Sequence, residues 1–188
     1  MHEFLLQAHN LEVLIQVMRG EGYEVLGPVV RDGAIAYGEI STCSDLPQGW
    51  SDTQEKGYYR IKQERTGAYF GYAVGPTSWK QFLQLPRRKL WHAEKTDDVV
   101  EIVEVIDHVP ARAFLGVRSC ELHAIEIQDR VFKGSGYRDE SYARRRDNAL
   151  LIGINCTAPA ATCFCTAMDT GPGITSPTDM TMTEVLSG

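Results

Sequence analysis

Residues 112–156, RAFLGVRSCELHAIEIQDRVFKGSGYRDESYARRRDNALLIGINC, decide the fold of this chain. RAFLGV and ALLIGIN are short apolar runs of strand type. Between them CELHAIEIQDRVF reads as a helix, followed by a polar stretch and a second short helix over DESYARRRD. Strand, helix, strand in that order is a βαβ unit, whose crossover joins parallel strands and is nearly always right-handed. Cys120 then falls just past the first strand, at the start of the helix, and Cys156 at the end of the second. Open parallel sheets bind ligands outside the carboxyl ends of their strands. Both thiols are therefore expected at that edge.

Toward the N-terminus, Asn10 is placed to cap a helix over LEVLIQVMRGEG, whose Leu11, Leu14, Ile15 and Met18 form one apolar stripe. YEVLGPVV and AIAYGEI follow as strands, joined by Asp32-Gly33, a pair suited to a tight hairpin turn. Residues 41–56 are polar and turn-rich and read as a surface loop, with strands resuming at YYRIKQE and AYFGYA. A short helix is expected around Trp79 to Leu83, a strand at VVEIVEVI, and a last short strand at MTMTEVL. The fold class is α/β (or α+β): a mixed sheet with an antiparallel N-terminal half and a C-terminal βαβ unit. One domain over residues 1–188 is expected, standing as the leading domain of a longer subunit.

A hydrophobic fraction of 43% and a charged fraction of 23% are those of an ordinary globular protein. A formal net charge of -6 argues against a nucleic-acid partner. No apolar run approaches the ~18–20 residues of a membrane span. MHEFLLQAHN lacks the basic start and long apolar stretch of a secretory signal. A cytoplasmic location is thus expected, and there close cysteines read as metal-binding or redox-active before they read as structural disulfides.

Four of the five cysteines, Cys120, Cys156, Cys163 and Cys165, follow a C-x35-C-x6-C-x-C spacing. Four thiolates satisfy one tetrahedral metal or one iron–sulfur cluster. The paired C-x2–4-C knuckles usual for zinc are absent, which favours the cluster, although spacing alone leaves zinc open. A redox disulfide and four separate half-buried thiols are the other readings. Alternate side chains of an extended C-x-C pair face one side, which makes burying both apart from a shared site harder. The positive end of the helix dipole and Arg118 are expected to lower the pKa of Cys120. Cys43 stands apart in a polar loop and is read as a bystander.

GVRSCELHAIEIQDRVF, the Arg144-Arg145-Arg146-Asp147-Asn148 run into ALLIGINCT, and TCFCTAMDTGP also carry a resemblance. They resemble the beta subunit of cytoplasmic nickel–iron (sulf)hydrogenases and, equally, the iron–sulfur electron-transfer subunit of anaerobic sulfite reductase. KQFLQLPRRKLW is similar to a further stretch of that family, with Arg88 where Glu is usual. The likeness runs over about residues 75–188. It implies an iron–sulfur electron-transfer protein that works with flavin-containing and catalytic subunits of an oxidoreductase. Family members continue into a ferredoxin-like segment of C-x2-C-x2-C-x3-C-P runs holding two [4Fe–4S] clusters, and these 188 residues contain no such run.

The reading is therefore a non-catalytic electron-relay domain. Cys120, Cys156, Cys163 and Cys165 are the expected ligands of a [4Fe–4S] cluster, and Arg118 stands behind them to stabilise its negative charge. A structural zinc-binding or assembly module, and a thiol-redox enzyme using Cys163 and Cys165, are the alternatives. Arg144-Arg145-Arg146 reads as a solvated face or a docking patch for an acidic redox partner. His123, three positions after Cys120, reads as a structural histidine or a replacement ligand. The nucleotide-cradling G-x-G-x-x-G and G-x4-G-K-[ST] patterns are absent.

Overall fold

The computed structural model describes residues 3–97, 99–105, 108–134 and 136–186. Its N-terminal half runs α1 (Leu11–Gly20), β1 (Glu24–Arg31), β2 (Ala34–Glu39), β3 (Trp50–Glu55), β4 (Tyr58–Gln63) and α2 (Lys80–Leu83). There follow β5 (Trp91–Thr96), β6 (Val99–Glu104), β7 (Arg112–Val117), α3 (Ser119–Phe132), α4 (Glu140–Asp147), β8 (Ala149–Ile154) and β9 (Met180–Met182). The class is mixed α/β. A five-stranded sheet has the order β2-β1-β7-β8-β9, with β3–β4 and β5–β6 as separate two-stranded hairpins. In the main sheet β2 is antiparallel to β1, while β1, β7, β8 and β9 are parallel neighbours. The βαβ unit is as the sequence predicts. The first hairpin also joins it directly, because Glu24 to Leu26 pair with Arg112 to Phe114.

Local chemistry explains most boundaries. Asp32 and Gly33 both take positive φ (51° and 71°), the turn whose twist suits a two-residue hairpin. Asn10 does not cap α1: it is the last residue of a 3-10 turn over Ala8–Asn10, in helical conformation and without a side-chain cap bond. Residues 50–55, read as part of a loop, form β3 and pair fully with β4. β5 is a strand that its polar WHAEKT sequence hides, and the VVEIVEVI strand ends at Glu104 within the described residues, Ile106 lying outside them.

AYFGYA, predicted as a strand, is irregular although Ala68, Phe70, Tyr72 and Ala73 are buried. Its backbone donors are met by carboxylates instead of a neighbouring strand. Glu184 accepts from the Tyr69 and Phe70 N–H groups (2.7 and 3.0 Å), and Asp52 accepts from Ala73 N–H (2.7 Å). Buried backbone donors need partners, and a carboxylate supplies strong ones.

The sheet separates two cores. One contains Ile15 and Met18 of α1 with Val25, Ala113, Leu115 and Ile154; the other contains Leu122 and Ile125 of α3 with Leu26, Phe114, Val117 and Leu151. Alternation along β7 sends Ala113 and Leu115 to the first core and Phe114 to the second. Val117 breaks the alternation and also faces the second. The register shifts between Leu115 and Val117, where Gly116 has φ +89°. This bulge adds one residue and so reverses the facing of everything after it. Among the described residues no helix is long and apolar enough to cross a membrane.

A Cβ at Gly116 would sit 2.7 Å from Cε1 of the buried Phe70 ring, in a backbone region that L-residues avoid. Gly116→Ala is expected to cost about 3 kcal/mol, from roughly 1–2 for the backbone and 1–3 for overpacking. Gly33→Asn is the control, since Asn tolerates positive φ and nothing lies within 4 Å of a Cβ there. Thermal unfolding of the two variants measures the difference; equal melting temperatures would show that the bulge is not a fixed point of the fold.

Candidate functional site

The carboxyl ends of β7 and β8 border a largely apolar cavity of about 470 Å³. Cys120, Cys156, Cys163 and Cys165 all line it, together with Trp79 and Gly171. Two thiols come directly from the βαβ topology. Cys120 is the second residue of α3, and Cys156 lies two residues past β8. The other two are returned to this edge by the loop between β8 and β9.

That loop is tied at both ends. Asn155 Oδ1 accepts from Ile174 N–H (2.8 Å), and Asn155 Nδ2 donates to Thr183 Oγ1 (2.7 Å). Cys156 N–H donates to Pro172 O (3.2 Å), and Thr170 N–H donates to Cys165 O (2.8 Å). Gly171 forms the seam, because a Cβ there would lie 3.4 Å from both Cys165 Sγ and Ser119 Cβ. Cys163 is held differently. Its sulfur accepts from Ala160 N–H (3.2 Å) within its own turn, and its neighbour Thr162 donates to Gln54 on β3 (2.9 Å). Cys120, Cys156 and Cys165 are half-buried, whereas Cys163 is exposed.

The electrostatics at Cys120 differ from the sequence expectation. Burial pushes its thiol up to about 11, and the Glu121 charge and the Cys165 and Cys156 sulfurs add to the rise. Arg118 does not offset this, because its guanidinium is committed elsewhere. Nη2 donates to Phe70 O (2.7 Å) and Tyr72 O (3.0 Å), and Nη1 donates to Asn155 O (3.1 Å). The side chain is 1% exposed and stacks over the Tyr72 ring at 5.2 Å. Its remaining Nε and the hydroxyl of Ser119 are buried with no partner among the described residues.

Sequence reasoning missed the buried acid beside the first thiol. Glu121 caps α3 by accepting from Arg118 N–H (3.0 Å) and takes a 2.5 Å hydrogen bond from Tyr37 Oη. Burial pushes the Glu121 carboxyl up, against the pull of Tyr37, the Arg118 N–H and the Trp79 indole. Trp79 is sandwiched between Tyr37 at 4.0 Å and Phe114 at 4.9 Å, which fixes one cavity wall. The available signal was Glu121 three residues after Arg118, the spacing at which an N3 acid reaches back to the N-cap N–H.

Other candidates fall away from the cavity. Cys43 packs against the α1-side core, and burial pushes its thiol up to about 11. His123 faces Glu126 at 3.7 Å and does not line the cavity. The arginine run is not a uniform charged face. Arg145 is 5% exposed and bonded to Ser141, Arg146 pairs with Asp129 at 3.0 Å, and only Arg144 of the three is exposed.

Four soft thiols suit zinc or iron–sulfur chemistry. A single tetrahedral ion requires all four sulfurs within ~2.3 Å of one point. Among the described residues no three His, Cys, Asp or Glu side chains converge in that way. A polynuclear cluster spreads its thiolates over different irons, a demand that thiols distributed around one cavity fit better.

No family model matches the chain, and no solved structure matches it. It is similar to sulfhydrogenase 2 subunit beta of Pyrococcus furiosus, 37% identical over 91 residues, which is 48% of this chain. The match spans 25% of that relative's length. The resemblance to a hydrogenase beta subunit, expected from the motifs, thus holds over about half of the chain.

Proposed function

We propose that this chain is an electron-relay domain of a multi-subunit oxidoreductase of hydrogenase or sulfite reductase type, and that Cys120, Cys156, Cys163 and Cys165 bind a [4Fe–4S] cluster. The observation that carries the reading is the shared cavity: four thiols spread over residues 120–165 line one space at one sheet edge. Likeness to the beta subunit of a sulfhydrogenase gives an oxidoreductase context. The bound cluster would supply one-electron transfer.

The chain's own residues do the rest. Cys120 and Cys156 come from the ends of two hydrogen-bonded strands, so their backbone separation is fixed by the sheet. Trp79, Ile125 and Ala124 line the cavity with apolar surface, which limits water and strengthens local charge interactions. Arg118 keeps a permanent positive charge behind the site and a spare Nε donor. The Cys120 thiol, neutral at ordinary pH, must give up its proton on loading, so loading is expected to strengthen as pH rises. Flavin-containing and catalytic subunits are the partners this role requires, in a cytoplasmic setting.

Anaerobic reconstitution with iron and sulfide tests the function. Stoichiometric iron and acid-labile sulfide, with an EPR signal on reduction, is the expected result; stoichiometric zinc with little iron would favour an assembly module instead. Arg118→Lys separates charge from tethering. Lys cannot span three carbonyls, so the variant is expected to lose roughly 2–4 kcal/mol of stability. The cluster potential should stay near that of the unaltered protein, whereas Arg118→Met should lower it by tens of millivolts, because removing a nearby positive charge disfavours the reduced form. A potential that responds equally to Lys and Met would remove the charge role assigned to Arg118.

A further inference from the structure

The four thiols are not equivalent. Gly171 and Pro172 gather three of them: Gly171 packs against Cys165 Sγ and against Ser119, the neighbour of Cys120, while Pro172 O anchors Cys156 N–H. These contacts join α3, the end of β8 and the returning loop into one seam. Consistent with it, Cys120 feels the sulfurs of Cys165 and Cys156. Cys163 belongs to none of these contacts. It is exposed, and its sulfur is bound to Ala160 N–H of its own local turn. Phe164 beside it is 70% exposed, so no packing holds this turn down on that side.

We propose that Cys163 is the exchangeable member of the set, and that a small sulfur anion from outside, a thiolate or hydrosulfide, can take its place at the bound group while Cys120, Cys156 and Cys165 stay. The inference rests on the cluster reading above. A soft donor is required, because the position it fills is matched to a thiolate. The exposed Lys80 at the cavity and the N-terminal end of α3 favour an anion there. The exchange balances without electrons: the iron–sulfur bond to Cys163 breaks, one to the incoming sulfur forms, and the proton lost by the incoming thiol is matched by the one Cys163 gains.

The test uses the full chain reconstituted anaerobically, with 2-mercaptoethanol as the probe. Cys163→Ala is expected to keep most of its iron in the presence of 2-mercaptoethanol and to show an altered EPR spectrum. Cys120→Ala, Cys156→Ala and Cys165→Ala should each lose most of theirs. Because a variant could fail to fold, the unaltered loaded protein gives a second measurement. Iodoacetamide with 2-mercaptoethanol should alkylate Cys163 first, with iron retained, as read by mass spectrometry and iron analysis. Iron loss in Cys163→Ala as complete as in the other three, or alkylation that strips iron as it labels Cys163, would overturn the proposal. Unaltered protein that takes up no iron would instead defeat the cluster reading itself, and this proposal with it.

Discussion

Gly116 and Arg118 act as one constraint on which both cores and the site depend. The bulge at Gly116 turns Val117 into the α3-side core and thereby sends Arg118 to the opposite face. There its guanidinium forks across the carbonyls of Phe70, Tyr72 and Asn155. Those three acceptors belong to the irregular segment over the sheet and to the strand end that leads into Cys156. A buried arginine without a carboxylate on its fork is tolerable only where such carbonyls converge on it. Without the bulge the strand would keep its alternation, and Arg118 would point into the apolar layer containing Leu122 and Ile125.

The same device determines how Cys120 behaves. Because Arg118 faces away, the charged group nearest Cys120 is Glu121, held in place by Tyr37 and by the α3 N-cap. Burial and this acid outweigh the helix dipole, whose contribution at a first turn is of order 0.3–1 kcal/mol. The thiol is therefore stored protonated rather than as a reactive thiolate. Such a group makes a poor nucleophile and a sound metal ligand, since metal binding supplies the free energy to remove the proton.

Much of this architecture was legible in the sequence because hydrophobic period reports it directly. RAFLGV, CELHAIEIQDRVF and ALLIGIN each follow one period, and the parallel pairing of β7 with β8 follows from their order. The cysteines could be assigned to one edge for the same reason. What escaped is decided by tertiary partners. WSDTQE and WHAEKT carry too little apolar alternation to read as strands, yet each pairs with a neighbour in a tight hairpin. AYFGYA has the composition of a strand, but carboxylates of Glu184 and Asp52 take its N–H groups. The direction of Arg118 was equally hidden, because a single positive φ two residues earlier reverses it.

Placing an acid next to a site proposed to carry negative charge has a consequence for how the site is built. Glu121 is 9% exposed, and burial alone would favour its neutral form. Hydrogen bonds from Tyr37 and the Arg118 N–H work in the opposite direction. Tyr37 is itself locked in a stack with Trp79, whose other face meets Phe114 of β7. The acid, the aromatic wall and the strand end therefore move as one body. A cavity wall that also orients the helix cap cannot relax without shifting Cys120, so the apolar packing and the position of the first thiol are aspects of a single constraint.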